Sequence, residues 1–205
     1  LLLGLINEVL DMSKIESGKL SVSESEINLA ELVENILTSI QPLVKQKGHT
    51  LHVHLNDVVH EDVIGDPLRL QQVFINLLSN AIKYTPDGGV IEFGITELQD
   101  HFQPYGTFQF VFKHNGAGMT PEFLKRLFLP FERADEVRQK KISGTGLGMA
   151  ITRNIVSLLG GEISVASEPG KGTTFTVLLH LKRQTQHKDI VRELQDLPVL
   201  IVDDD

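Results

Sequence analysis

The chain contains no cysteine and no tryptophan. The first absence removes disulfides and thiolate nucleophiles and fits a reducing compartment. No stretch approaches the roughly 18 consecutive apolar residues of a membrane span, and no signal-peptide pattern is present. Positive charge is scarce. Lys and Arg number 19 against 27 Asp and Glu, a formal net charge of −8, and this argues against nucleic acid as a partner. What is present is 205 residues, 41% of them hydrophobic, enough for one sizeable core. Leu1 sits inside an apolar helical pattern, and Asp203, Asp204 and Asp205 follow an apolar run, so both ends read as cut from something longer.

The most informative stretch is Asp66 to Thr85, DPLRLQQVFINLLSNAIKYT. Asp66 is a good N-cap and Pro67 suits the first helical position. Leu70, Val73, Phe74, Leu77, Leu78, Ala81 and Ile82 recur at helical spacing. Beside this apolar face runs a polar stripe of Gln72, Asn76, Asn80 and Lys83, stacked on one side of the helix. An amide oxygen is a hard ligand for Mg²⁺, and lysine offers a point charge to phosphate. The stripe therefore suits a metal-bound polyphosphate. A solvated polar edge of an ordinary amphipathic helix has the same pattern.

Around this helix the periodicities predict helices over Leu1–Lys19, Leu29–Gln46 and Leu147–Leu159, with Asn28 capping the second. Leu20 to Leu29 reads as a short connector, with an extended form open to it. Strands are predicted at Thr50–Leu55, Val90–Leu98, Thr107–Lys113, Glu162–Ser167 and Thr173–Leu181. His52 and His54 share one strand face without a third metal ligand, so they read as solvated. A short helix is predicted after Thr120-Pro121-Glu122, carrying Phe123, Leu124, Leu127 and Phe128. Lys182 to Asp196 looks like a linker, and Pro198 to Val202 like a buried strand.

Gly144-Thr145-Gly146-Leu147-Gly148 stands where a charged loop meets a helix start. Free amides at a helix N-terminus attract phosphate, and glycines let the backbone come close. A tight loop-to-helix junction would look the same. A dinucleotide fingerprint is excluded because no strand precedes the motif directly, and no Gly-Lys-Ser/Thr of a Walker loop occurs. Asn115-Gly116-Ala117-Gly118 is ambiguous alone. The order decides: the Asn-x-x-x-Asn-x-x-Lys helix, a strand ending in Asn-Gly-x-Gly, Phe128-Leu129-Pro130-Phe131, the charged loop, Gly-x-Gly-x-Gly, then Gly170-Lys171-Gly172-Thr173-Thr174-Phe175.

In this order the chain resembles the ATP-binding catalytic domain of sensor histidine kinases, over about Ser21 to Lys182. NLLSNAIKYT matches the N box, HNGAGM the first glycine box, FLPFERAD the F box and GTGLGMAI the second glycine box. The resemblance implies an α+β fold of the Bergerat type. This is a two-layer α/β sandwich, with a mixed, mostly antiparallel sheet and helices on one face. It implies ATP and Mg²⁺ as cofactors. Asn80 would hold the metal, with Asn76 assisting, and Lys83 would neutralise phosphate charge. Tyr84 would lie along the adenine. Gly116 and Gly118 would let the backbone approach the nucleotide, beside Met119. Gly144, Thr145, Gly146, Leu147 and Gly148 would present amides to the phosphates, and Thr174 would lie near the adenine. Residues 131–143 would form a lid packed by Phe128 and Phe131. Related ATPases carry a glutamate where Asn76 stands. An amide cannot deprotonate water, so phosphoryl transfer is favoured over hydrolysis.

The resemblance also implies a division of the chain. Residues 1–20 would end the second helix of a dimerisation and phosphoacceptor domain. Residues 21–183 would be the catalytic domain, 184–197 a linker, and 198–205 the first strand of a receiver domain. None of the eight histidines lies in the family's His-Glu-x-Arg-x-Pro setting, so the acceptor belongs to an earlier helix. The parent would be a membrane-associated, homodimeric hybrid kinase with this part soluble and cytoplasmic. Its partners would be its own phosphoacceptor and receiver domains or a separate response regulator.

One position departs from the family. The first glycine box normally opens with an Asp that accepts a hydrogen bond from the adenine amino group, and here His114 stands in its place. A lost bond with a stranded partner costs about 1–3 kcal/mol, or about ten- to a hundredfold in affinity. Two functions stay open on the sequence: a kinase module with altered adenine contacts, and a nucleotide-poor pseudokinase that relays signals through contacts. A hydrolytic ATPase of the same superfamily is a third.

Overall fold

The computed structural model describes residues 2–99, 104–133 and 144–184. Helices α1 (Leu2–Glu16), α2 (Leu29–Gln46), α3 (Pro67–Tyr84), α4 (Pro121–Leu124) and α5 (Gly148–Leu158) alternate with strands. The strands are β1 (Ser25–Asn28), β2 (Thr50–Asn56), β3 (Asp62–Gly65), β4 (Val90–Leu98), β5 (Tyr105–His114), β6 (Glu162–Glu168) and β7 (Gly172–Arg183). They form one sheet in the order β1-β3-β7-β5-β4-β2, with β6 also paired to β7. Every pairing is antiparallel except β2 with β4. The predicted mixed, mostly antiparallel sheet is what forms.

The sheet's helix-facing side is set by alternation. On β5, Phe108, Phe110 and Phe112 point inward, and on β7 so do Phe175, Val177, Leu179 and Leu181. They meet the apolar stripe of α3. Phe74 lies at the centre, with ring centroids 4.6 Å from Phe110, 5.5 Å from Phe112 and 6.0 Å from Phe93. Fully buried aromatic rings of this kind contribute strongly to the core. Helix α2 packs on one flank of α3 and α5 on the other. The opposite side of the sheet is only partly covered by its own residues.

Helix α3 is held at both ends. The Asp66 carboxylate accepts from the Arg69 N–H at 3.0 Å, which satisfies one of the free first-turn donors. At the other end the Lys47 ammonium donates to the Ile82, Lys83 and Thr85 carbonyls at 3.0, 3.3 and 3.4 Å. A cation there also suits the negative end of the helix dipole. The spacing of Asn76, Asn80 and Lys83 is thereby fixed relative to the sheet.

Two expectations change. Strand β3 was not foreseen, because four residues are too few to show alternation. The helix after Thr120 ends at Leu124, and turns carry the chain on to Phe131. Helix α1 packs on α5 of its own chain, leaving Ile6, Val9 and Leu10 exposed. The lid beyond Arg133, most of the linker, and the proposed receiver strand lie outside the described residues.

Candidate functional site

The polar stripe of α3 faces the start of α5. The Asn76 amide nitrogen donates to Thr152 Oγ1 at 2.7 Å, tying the two helices together. Its oxygen is turned to the helix start, 2.6 Å from where a Cβ on Gly148 would lie. Any side chain at Gly148 would collide with that amide. The Asn80 nitrogen reaches Met149 Sδ at 3.4 Å. Lys83 Nζ stands 2.7 Å from where a Cβ on Gly144 would lie, and 4.9 Å above the Tyr84 ring. Asn76, Asn80 and Lys83 therefore converge on Gly144, Gly148 and Met149.

Helix α5 begins with no side-chain cap at Leu147. Its first-turn amides have no intrahelical partner by construction, and the dipole makes that end positive. The glycine run is set by close contact. Gly146 has φ +80 and approaches the Phe131 backbone so closely that a Cβ would lie 2.7 Å from the Phe131 carbonyl carbon. The Phe131 N–H donates to the Gly146 carbonyl at 3.0 Å. The Thr145 hydroxyl accepts from the Leu147 N–H at 3.1 Å and donates to Glu8 of α1. Amide oxygens, an ammonium and an uncapped helix start in one place form a suitable donor set for a polyphosphate with a hard cation.

The other end of the site lies where β5 and β7 finish beside the end of α3. His114 is buried, and its Nδ1 accepts from the Gly116 N–H at 3.1 Å and lies 3.0 Å from Thr85 Oγ1. Burial lowers its pKa to about 4, with a further push from nearby His49. His114 is therefore neutral at pH 7. His49, also buried, donates from Nε2 to the Ile82 carbonyl at 3.1 Å, and its Nδ1 has no partner. Gly116 is required by the Tyr84 carbonyl, 2.3 Å from where its Cβ would be. Gly118 has φ +69 and lies under the Glu168 carbonyl. The Met119 N–H donates to Ser167 Oγ at 2.9 Å, which joins this loop to β6.

One predicted position moves. Thr174 pairs across the sheet with Lys113 and so shares the face opposite His114. Thr173 is the residue opposite His114, buried, with its hydroxyl 2.8 Å from that of Ser167. Phe131 opens the expected lid, whose residues beyond Arg133 lie outside the described ones. Its side chain is 66% exposed, and its tie to the glycine run is through the backbone. Phe128 does pack against the core, with Arg153 stacked 5.4 Å above its ring. Gln72 of the stripe turns away from the site and donates to Asp11 of α1 at 2.8 Å. Thr85, His49 and Thr152 were not singled out by the sequence. Thr152 carried the best signal, a hydroxyl on the apolar face of α5 one turn after Gly148. His52 and His54 are exposed and stack with centroids 6.2 Å apart. Among the described residues no cluster of potential ligands could hold a metal by itself.

Residues 65–183 match the family described as histidine kinase-, DNA gyrase B-, and HSP90-like ATPases. The chain is 35% identical over 192 residues to the sensor protein GacS of Pseudomonas syringae pv. syringae, covering 92% of this chain and 20% of that protein. It is 38% identical over 182 residues to the sensor histidine kinase RcsC of Escherichia coli K12, covering 88% and 18%. The chain thus spans about a fifth of the length of these relatives. Among solved structures it is similar in fold to full-length ShkA in complex with AMPPNP. The TM-score there is 0.75 at 23% identity, covering 89% of this chain and 36% of that one. It is also similar to the nucleotide-free catalytic domain of histidine kinase ThkA, with TM-score 0.62 at 23% identity, covering 77% and 97%. With more than half its length matched and the sheet and helices in place, the chain belongs to the histidine kinase-, DNA gyrase B- and HSP90-like ATPase family, as an ATP-binding domain of the sensor histidine kinase kind.

Proposed function

We propose that this chain is the catalytic module of a hybrid sensor histidine kinase, delivering the γ-phosphoryl group of a Mg²⁺-bound purine triphosphate, ATP in this family, to a histidine on another domain. The observation that carries the reading is the meeting of Asn76, Asn80 and Lys83 with the uncapped start of α5. With its nitrogen engaged by Met149, Asn80 can offer its oxygen to the metal. Bound Mg²⁺ would draw charge off the phosphate oxygens as the γ-phosphoryl group leaves. Lys83 would neutralise phosphate charge, and the amides from Gly144 to Gly148 would hold the phosphates. Asn76 fixes α5 through Thr152 and supplies no base for water, which leaves the phosphoryl group for a partner.

The same reading assigns residues 1–20 to the end of a phosphoacceptor-domain helix, 21–183 to the catalytic domain, 184–197 to a linker and 198–205 to a receiver strand. The working protein would be a homodimer in the cytoplasm beneath a membrane-bound sensor, paired with its own receiver or a response regulator. Titration calorimetry with Mg²⁺-nucleotide tests the core of the reading. A saturable heat that Asn80→Ala abolishes is the expected result. Absence of heat with any purine triphosphate, on folded protein, overturns it and leaves the pseudokinase. That second reading is favoured by one observation: the His114 acceptor is already engaged by Gly116.

A further inference from the structure

The hydrogen bonding of His114 fixes more than its charge. A backbone N–H can only donate, so the Nδ1 that Gly116 addresses must carry a lone pair. The nearby Thr85 hydroxyl can add a second bond to the same atom. The neutral ring then carries its proton on Nε2. Among the described residues the buried side-chain polar atoms without a hydrogen-bond partner are His49 Nδ1 and Glu132 Oε2, the latter ion-paired with Arg126 at 3.2 Å, and Nε2 of His114 is not one of them. Among the described residues it has no hydrogen-bond partner either, so it remains open to a ligand. The family's aspartate at this position offers an acceptor. This chain offers a donor.

We infer that His114 turns the base end of the site toward 6-oxopurine nucleotides, those of guanine and hypoxanthine, and away from adenine. The inference rests on the nucleotide-binding reading above and specifies its substrate. Adenine presents an amino group at its 6-position, and against the His114 N–H two donors would face each other. Hypoxanthine and guanine present a carbonyl there, which accepts. The donor is locked, because moving the proton to Nδ1 would break the Gly116 bond and oppose two N–H groups. Thr173, opposite His114 on β7, commits its hydroxyl proton to Ser167, whose own proton goes to the Gly172 carbonyl. His49 has its Nε2 proton committed to the Ile82 carbonyl.

Inosine triphosphate isolates the 6-position, because it differs from ATP only there and at the coupled ring nitrogen. Calorimetry on the 205-residue chain with Mg²⁺ and each nucleotide in turn should show ITP bound at least about tenfold more tightly than ATP. His114→Asp should reverse the order. His114→Asn, whose amide can turn either face to the base, should bring the two within about threefold, and it serves if the buried carboxylate impairs folding. ATP binding as tight as ITP in the unaltered chain overturns the inference. So does an unaltered chain that binds neither while His114→Asp binds ATP, and in that case the nucleotide reading survives. Failure of both nucleotides in all three proteins, each shown folded by thermal melting, defeats the nucleotide reading and the inference with it.

Discussion

The two ends of the site solve different problems. At the α5 end the groups are generic: two carboxamides, an ammonium and backbone amides, with tolerance for any polyphosphate they can reach. At the β5–β7 end each atom has one assignment, and His114 is committed by Gly116 and Thr85 before any ligand arrives. A site of the first kind is judged by which residues are present. The second kind is judged by which lone pairs remain. His114 passes inspection as a polar residue in a polar position and fails only when its hydrogen bonds are counted.

The comparison breaks most visibly where the backbone itself shapes the base end. Gly172 has φ +99, and a Cβ there would stand 1.9 Å from the His114 carbonyl oxygen. Gly172→Ala should cost more than about 3 kcal/mol in urea unfolding, combining backbone strain with overpacking. A loss under 1 kcal/mol would mean that this junction yields easily.

The next largest effect is in pH. The folded pKa of His114 lies near 4, below the ordinary value of 6.5. Between those values the unfolded chain binds a proton that the native chain does not, so stability rises with pH. The contribution is complete above about pH 6.5 and is lost as pH falls toward 4, in total about 3 kcal/mol. Urea midpoints across this range should fall more steeply for the unaltered chain than for His114→Asn. Parallel curves would show that the histidine is not held neutral by its surroundings.

At the α5 end, Lys83→Ala should weaken triphosphate binding about ten- to a hundredfold, the usual magnitude for a lost charge-assisted bond. Its melting temperature should stay close to that of the parent. A large fall in melting temperature would make Lys83 part of the framework instead. The smallest test separates neighbours. Thr173→Val should cost about 1 kcal/mol by removing the buried hydrogen bond between its hydroxyl and Ser167, whereas Thr174→Val on the opposite face should stay within about 0.5 kcal/mol. Equal effects would contradict the register of β7.

The parts legible in the sequence were those governed by local rules. The Asp66 cap, Pro67 and the seven apolar positions of α3 announce the helix, and the burial follows the stripe residue by residue. Val90–Leu98 alternates clearly enough that its bounds are the predicted ones. The Thr173–Thr174 error has a physical source. Which of two adjacent threonines faces inward depends on where the turn before Gly172 sets the register, and one residue reverses the face. Contacts between distant segments left no local trace. Glu8 with Thr145, Asn76 with Thr152 and His49 near His114 are brought together only by the packing of α1, α5 and the sheet. The tie between Phe131 and Gly146 was unreadable for a related reason: a main-chain hydrogen bond leaves no mark on residue type.

Strand β7 runs twelve residues, bordered by β5 along one edge and by β6 and then β3 along the other. One tip carries Thr173 opposite His114; the far tip is clamped by Arg183 to the Glu97 carboxylate at 3.0 Å and by Gln184 to the Val63 carbonyl. Roughly 36 Å of extended chain lies between Thr173 and Gln184. Thr173 and Gln184 thus stand far apart on the domain, and the straight span between these tips is a single sheet-bonded girder that cannot shorten without tearing its neighbours' ladders.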